Sequence, residues 1–238
     1  MSLHMKRLAS PRAWKIPKKS STWVPKPIAG KHSAEHSIPL GVALRDYLGI
    51  VDTMTEAKRV IGNREVLVDG RVATSHKTPV GLMDVLSVPK LEKHYRSVID
   101  KHGRVALAEI NATQAAWKLC RVQDKTVVSG GRLQLNLHDG RNVIVKEKTY
   151  KTGDVVKLAI PTQEIKGHYA FGQGMTALIT GGAHVGEFAK VQAEETIRSP
   201  RPNLVSLTSG SDAYSTVKPY VFLVGKDKPE IALPEVNA

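Results

Sequence analysis

The chain has 238 residues, which predicts two or more modest domains, and its hydrophobic fraction of 41% is high enough for packed cores. Its charge is unusual, because 35 lysines and arginines stand against 22 aspartates and glutamates, for a formal net charge of +13. This balance predicts a polyanionic partner, with nucleic acid ahead of an anionic membrane. Aromatic residues make up only 5% of the chain, which argues against binding RNA mainly by stacking many bases on exposed rings.

A single cysteine, Cys120, excludes an intramolecular disulfide and a zinc site built from two or more thiolates, and we expect it to be a buried hydrophobe in a strand. No apolar run approaches the length of a membrane helix. The basic N-terminus lacks the apolar segment of a secretory signal. We therefore expect a soluble, cytoplasmic protein with no membrane partner.

Motifs of catalysis and cofactor binding are incomplete. Gly30-Lys31-His32 lacks the remaining residues of a Walker phosphate-binding loop, and Gly172-Gln173-Gly174 lacks the third glycine of a dinucleotide fingerprint. His32 and His36 have i, i+4 spacing without the glutamate that a zinc-protease motif places after the first histidine. We therefore predict no enzymatic activity, no catalytic residues, no metal site, no cofactor and no small-molecule substrate.

The first 36 residues form a basic segment, with eight lysines and arginines against one glutamate. Its repeated prolines exclude a helix, so we expect an arm that is poorly structured alone and becomes ordered along a phosphate backbone. The alternative is a solvated tail without a partner. The free-energy cost of leaving Trp14 and Trp23 exposed to water argues against it. Its candidate RNA-binding residues are Lys6, Arg7, Arg12, Lys15, Lys18, Lys19 and Lys31.

Two helices are predicted next. The apolar residues of the first recur with helical spacing: Leu40, Ala43, Leu44, Tyr47 and Leu48. Gly49 ends this helix. The second begins with a capping box between Thr53 and Glu56 and ends at Gly62.

A short strand with an Asp69-Gly70 turn follows the helices, and a further strand is predicted over Asp84–Val88. Residues 37–88 have no net charge, yet their basic residues collect around the second helix and this turn. A generic α+β scaffold with surface charge is the alternative reading. The candidate RNA-binding residues are Arg45, Lys58, Arg59, Arg64, Arg71 and Lys77.

The remainder of the chain is predicted to be mainly β. Residues 89–165 carry a net charge of +6 and contain two hairpins, with turns at Lys101–Gly103 and Asp139-Gly140, separated by a short helix from Asn111. Basic residues near the turns of this segment could clamp an RNA backbone or simply be solvated: Lys101, Arg104, Arg141, Lys148 and Lys151. From residue 174 a strand, a glycine-rich bend and a second strand are followed by three short strands that would complete a small barrel.

Several phrases of this sequence resemble a known family. Two helices before the turn Val66-Leu67-Val68-Asp69-Gly70-Arg71-Val72 resemble the alpha-L RNA-binding domain first described in ribosomal protein S-four. The segment from His4 to Trp14 resembles the opening of the archaeal and eukaryotic small-subunit ribosomal protein family S-four-e. Three later phrases match that family in order: Gly81-Leu82-Met83-Asp84-Val85, Lys118-Leu119-Cys120-Arg121-Val122 and Thr180-Gly181-Gly182-Ala183.

The resemblance implies an α+β, multi-domain protein. It implies a basic N-terminal extension over 1–36, an alpha-L (S-four-type) RNA-binding domain over 37–88, a central β domain over 89–168 and a C-terminal SH3-like KOW barrel over 169–238. Gly181, Gly182 and Gly186 are similar to the KOW motif of ribosomal proteins and transcription elongation factors. There the missing side chains would let RNA approach, with His184 beside them, although glycines needed only for the bend are an equal alternative.

The function that the resemblance implies is a non-catalytic, structural constituent of the small ribosomal subunit. It would bind rRNA and neighbouring ribosomal proteins in the cytoplasm and support subunit assembly and translation. Six to ten engaged phosphates would give log affinity a slope on the order of −5 to −9 against log salt. An RNA-modifying enzyme and a KOW-containing translation or transcription factor are the alternatives.

Overall fold

The computed structural model describes residues 4–146, 149–210, 212–231 and 233, so Lys148 lies outside the described part of the chain. The fold is mixed α and β with mostly strands, and it divides into two compact units. Unit 1 comprises the described residues up to 98 together with Arg104–Lys118 and Ile160–Thr162. Unit 2 comprises Ile99–Gly103, the described residues of Leu119–Ala159 and those from 163 onward.

The basic N-terminal segment is packed into unit 1. Strands β1 (Met5–Lys6) and β2 (Trp23–Val24) pair antiparallel, with Met5 opposite Val24. Trp14 is only 3% exposed, and its Nε1 donates a hydrogen bond of 2.7 Å to the Ser37 carbonyl. The expectation of an arm that is poorly structured alone is therefore corrected. The described residues of this segment form no α-helix, as its prolines predict, and contain one short 3-10 helix over Arg7–Ala9. Apolar side chains between the prolines join the hydrophobic core.

Both predicted helices are present. Helix α1 (Leu40–Val42) continues as a π-helix over Ala43–Tyr47, and the Leu48 N–H donates to the Ala43 carbonyl at 3.0 Å. The spacing of the apolar residues predicted a helix here, but it did not distinguish an α-helix from the wider π-helix. Helix α2 (Met54–Gly62) begins with the predicted capping box, in which the Glu56 N–H donates to the Thr53 hydroxyl at 3.2 Å.

The sheets of unit 1 use the remaining strands as far as residue 110. In chain order these are β3 (Ser37–Pro39), β4 (Leu67–Val68), β5 (Arg71–Val72), β6 (Pro79–Gly81), β7 (Val85–Val88), β8 (Lys93–Ile99) and β9 (Val105–Ile110). Strands β3 and β6 pair with each other, and the others form a five-stranded sheet in the order β5-β4-β7-β8-β9. The sequence placed the β8–β9 hairpin with the central segment, whereas in the structure it extends the sheet that begins at the Asp69-Gly70 turn.

Unit 2 contains two five-stranded antiparallel sheets, and helix α3 (Ala112–Ala115) precedes them in the chain. The first sheet has the order β12-β11-β10-β13-β14 and buries Cys120, as predicted. Its strands are β10 (Trp117–Val128), whose first two residues belong to unit 1, β11 (Arg132–Leu137), β12 (Asn142–Val145), β13 (Val155–Ala159) and β14 (Ile165–Tyr169).

The second sheet of unit 2 has the order β18-β17-β16-β15-β19. Its strands are β15 (Thr176–Ile179), β16 (Phe188–Glu195), β17 (Leu204–Ser209), β18 (Asp212–Val217) and β19 (Val221–Gly225). The predicted strand, glycine-rich bend and second strand correspond to β15, the connection around Gly182 and β16. Within the described residues, the structure contains no helix long and apolar enough to cross a membrane.

Candidate nucleic-acid interface

Helix α2 presents opposite faces to the core and to solvent. Ala57 and Ile61 are buried, whereas Lys58 and Arg59 are exposed. Arg64, two residues after the helix, is exposed and has a left-handed backbone with φ of 62°. The amphipathic period of the helix therefore directs the basic side chains away from the core.

The hairpin after α2 adds further cations to this surface. Asp69 and Gly70 both have positive φ, of 51° and 71°, which is the backbone of a tight type I′ turn. Arg71 follows the turn and is exposed. Burial lowers the pKa of His76, and the charges of Lys58 and then Lys77 lower it further.

Acidic side chains of this module are engaged in contacts of their own. Glu56 caps helix α2, and Glu65 Oε1 lies 2.5 Å from Lys90 Nζ. Asp46 accepts from the Arg45 guanidinium at 2.8 Å. Although residues 37–88 have no net charge, each of these carboxylates is paired with a backbone or side-chain donor of the protein. We refer to the cations of this region as the α2–hairpin face, which comprises exposed Lys58, Arg59, Arg64 and Arg71 and half-buried Lys77.

A buried ionic network supports the turn of this face. Lys118 Nζ lies 3.0 Å from both Asp69 Oδ2 and Asp84 Oδ1, and the side chains of all three residues are fully buried. Lys31 Nζ lies 2.5 Å from Asp69, and His32 Nε2 lies 3.0 Å from Asp84. The second oxygen of Asp69 accepts the Val85 N–H at 2.9 Å. The turn carboxylate is thereby tied to β7, to Lys118 and to the N-terminal segment.

The charge state of Asp84 follows from this network. Burial by itself raises the pKa of a carboxyl group, but the charges of Lys118 and then His32 act in the opposite direction. Their combined effect holds the pKa of Asp84 well below its ordinary value. The carboxylate is therefore ionised at neutral pH, and the network pairs buried anions with buried cations.

The candidate cations of the N-terminal segment divide into two groups. Lys6, Arg12, Lys15 and Lys19 are exposed. Arg7 is 2% exposed, and its Nε donates to the Pro17 carbonyl at 2.6 Å while Nη2 lies 3.6 Å from Asp46. The ammonium group of Lys18 donates to the Ser10 carbonyl at 2.9 Å, and that of Lys31 is bound to Asp69.

Arg7, Lys18 and Lys31 therefore bind groups of the protein itself, and Arg45 does so through Asp46. Lys118 was quoted in the sequence only as part of a family phrase, and its place in the network was missed. The available signal was a lysine at the start of an otherwise apolar run, Lys118-Leu119-Cys120, since such a position calls for a buried partner.

Packing explains why two positions of the bend between β15 and β16, Gly181 and Gly186, are glycine. A Cβ on Gly181 would lie 2.9 Å from the Tyr220 ring, and one on Gly186 would lie 2.3 Å from the Asp100 carbonyl oxygen. Gly186 also has a φ of +78°. Gly182 is exposed and has a φ of +94°.

His184 lies in the same bend, and its ring stacks on Tyr214 with centroids 3.9 Å apart. Its Nδ1 is 3.3 Å from Glu187. These residues line a cavity of about 450 Å³ whose wall also carries Lys101 and Asp212. Two carboxylates and one ammonium group at this wall make it less favourable to a phosphate than the α2–hairpin face.

Three family models match the chain: "RS4NT (NUC023) domain" over residues 1–35, "S4 domain" over 44–86 and "Ribosomal family S4e" over 91–165. The small ribosomal subunit protein eS4 of Methanococcus maripaludis strain S2 is 46% identical over 239 residues, covering 97% of each chain. The chain belongs to ribosomal family S4e. The eS4 protein of Methanocaldococcus jannaschii is 44% identical with the same coverage of both chains.

A solved S4e structure also resembles this one. The crystal structure of 30S ribosomal protein S4e from Thermoplasma acidophilum has 33% sequence identity and a TM-score of 0.70, covering 80% of this chain and 96% of that one. The resemblance to the S-four-e family drawn from four phrases is thus confirmed. The match to the S4 domain contains helix α2 and the Asp69-Gly70 turn, so all five residues of the α2–hairpin face lie on the family's S4 module.

Proposed function

We propose that this S4e chain is a structural, non-catalytic constituent of the small ribosomal subunit that binds rRNA, acts at the ribosome in the cytoplasm and supports subunit assembly. The observation that carries the proposal is the α2–hairpin face. Its cations, of which all but Lys77 are exposed, lie within the matched S4 domain, and neighbouring carboxylates are held in a capping box, in ion pairs and in the buried network. Such a surface replaces counterions on a phosphate backbone.

Direct phosphate contacts are proposed for two groups of residues. The first is the α2–hairpin face, and the second is the set of exposed arm residues Lys6, Arg12, Lys15 and Lys19. Arg7, Lys18, Lys31 and Arg45 are proposed to act indirectly, because their charged groups hold the protein surface in place. These contacts give affinity and register, while neighbouring ribosomal proteins complete the environment of the chain.

For unit 2 we propose that the sheet β18-β17-β16-β15-β19 is the SH3-like KOW barrel at the end of the four-segment layout inferred from the sequence. Five antiparallel strands and the glycine-rich bend between the first two support this. Within the bend, direct RNA contact is proposed for exposed Gly182, with His184 beside it. Gly181 and Gly186 are proposed to shape the bend, because their Cα hydrogens face the Tyr220 ring and the Asp100 carbonyl.

Sedimentation tests the proposed function most directly. A structural constituent remains with small subunits through a moderate-salt gradient, whereas a loosely bound translation or transcription factor is released. For the isolated full chain and a small-subunit rRNA transcript, we expect a log–log salt slope on the order of −5 to −9. A slope near zero contradicts the proposal, and a newly modified nucleotide after incubation with rRNA or tRNA supports the enzyme alternative.

A further inference from the structure

The N-terminal ribbon, which is the antiparallel pair of strands β1 and β2, carries an exposed tryptophan. Trp23 is 54% exposed, whereas Trp14 is 3% exposed and Val24 is 4% exposed. An indole is a large apolar surface to leave in water, and its burial would contribute about 1.5–3 kcal/mol on the scale of other large side chains. Its exposure leaves this surface available to a binding partner.

The ribbon holds this ring in a defined position. Met5 lies opposite Val24 and Lys6 lies opposite Trp23 in the β1–β2 pair. Residues directly opposite in an antiparallel pair share a face, so Met5 and Val24 pack against the core while Lys6 and Trp23 point outward together. The buried Val24 next to Trp23 anchors the strand to the core, and the pairing places the indole on the outer face.

A second ring borders the same outer face. The imidazole of His4 lies 5.4 Å from the indole centroid at an interplanar angle of 88°. His4 and Lys6 are two residues apart in the chain, which places their side chains on one side of an extended segment. The outer face of the ribbon thus combines a flat ring, a perpendicular imidazole and an ammonium group.

The geometry points to this face, which we call the Trp23 platform (His4, Lys6 and Trp23), as a stacking site for one unpaired rRNA nucleotide. Its base would lie on the indole, and its phosphate would lie at Lys6. This inference rests on the proposed rRNA-binding function and names one contact within it. A base in a duplex is already stacked, so an unpaired nucleotide from a loop, bulge or strand end is the partner that gains most from the ring.

Charge favours RNA over a protein at this place. Glu35 is the first acidic residue in the sequence, so residues 4–34 carry only cations and neutral groups. Protein interfaces deplete charged residues at their core, whereas here the ring stands beside Lys6 on an arm with exposed Arg12, Lys15 and Lys19. A single stacking ring is also consistent with the low aromatic content of the chain.

Tryptophan fluorescence of the full chain tests the contact. Trp14 is buried and Trp117 lies under the Arg96 guanidinium, 4.3 Å from its ring centroid, so Trp23 is the indole most accessible to an added base. We expect a short single-stranded oligoadenylate to quench the fluorescence in the native chain and not in Trp23→Phe. An abasic oligomer of the same length should quench neither, and equal quenching by the abasic oligomer overturns the stacking contact.

Affinity for a small-subunit rRNA transcript provides the second measurement. Trp23→Ala should weaken binding about tenfold with an unchanged salt slope, while Trp23→Phe should retain most of the affinity. Leu8→Ala is the matched control, because Leu8 is a 66% exposed apolar side chain of the same arm, and it should bind as the native chain does. Native affinity of Trp23→Ala for the transcript overturns the inference. It is overturned equally if Trp23→Ala binds the transcript as the native chain does and loses binding only to a ribosomal protein. Failure of the native chain itself to bind the transcript refutes the proposed function instead.

Discussion

The α2–hairpin face and the glycine-rich bend of unit 2 were both predicted to contact RNA, but their residues differ in exposure and packing. On the α2–hairpin face the predicted arginines Arg59, Arg64 and Arg71 are exposed. In the bend, Gly181 and Gly186 fit against a tyrosine ring and a backbone carbonyl. A surface cation on a strand or helix can bind a ligand without a role in the fold. A glycine is often needed by the fold itself, because its backbone adopts a positive φ or lies close to another group.

The comparison shows that local net charge is a poor guide to an RNA-binding surface. Residues 37–88 have six basic and six acidic residues, yet the acidic ones include the cap of α2 and the buried partners of Lys118. In the strongly basic N-terminal segment, in contrast, the charged groups of Arg7, Lys18 and Lys31 bind other groups of the protein. Four variants, one of them a triple substitution, test which residues hold the fold and which are available to RNA.

The largest effect is expected for the buried network under the hairpin turn. Lys118→Met leaves Asp69 and Asp84 buried without the ammonium group that lies 3.0 Å from each, and should lower the free energy of unfolding by about 3–5 kcal/mol. Denaturant unfolding measures it. Lys90→Met is the matched control, since Lys90 is a 67% exposed partner of Glu65 and should cost below about 1 kcal/mol. Equal losses in the two variants would show that the network does not support the turn.

The next effect concerns the bend. Gly186→Ala places a Cβ 2.3 Å from the Asp100 carbonyl oxygen at a φ of +78°, so we expect a loss of stability of about 2–4 kcal/mol. Gly210→Ala is the control, because Gly210 has a φ of +61° and open space around its Cα, and should cost about 1 kcal/mol. Thermal unfolding of both variants compares them. A Gly186→Ala chain that is fully stable but binds rRNA weakly would make the bend a contact surface and remove its difference from the α2–hairpin face.

A third substitution addresses the α2–hairpin face directly. Replacing Arg59, Arg64 and Arg71 together with glutamine should weaken rRNA binding about 10- to 100-fold and make the salt slope shallower by about 2–3, with unfolding unchanged. The control removes the same charge from unit 2 through exposed Lys190, Arg198 and Arg201, and should have a smaller effect. If both triple variants lose the same affinity, RNA binding depends on total charge and not on placement.

The smallest effect is expected at the start of α2. Thr53→Ala removes the acceptor of the Glu56 N–H and should cost about 1 kcal/mol of stability, while rRNA affinity stays near that of the native chain. Thr55→Ala, at an exposed position of the same helix, is the control with little expected change. Unchanged unfolding of Thr53→Ala would indicate that contacts of the core, and not the capping box, hold the helix that carries Lys58 and Arg59.

Short-range features were predicted well. The capping box at Thr53, the positive φ of Asp69 and Gly70, and the buried Cys120 all depend on neighbouring residues or on side-chain type, and the structure confirms them. The π winding after Val42 was not predicted, because the apolar spacing fits either helix. The sheet that receives β8 was not predicted either, since its pairing with β7 is a tertiary choice between several similar strands.

The sequence alone determined the helices, turns and hairpins, the excess of cations and the family, because these depend on residue type, local spacing and recognisable phrases. The tertiary structure decided which cations face solvent. Lys118 and Asp69 are 49 residues apart in the chain, and Arg7 meets Asp46 across a comparable separation. Only folding brings such charges together, and burial then makes their pairing obligatory, because an ionised group removed from water without a partner is strongly destabilising.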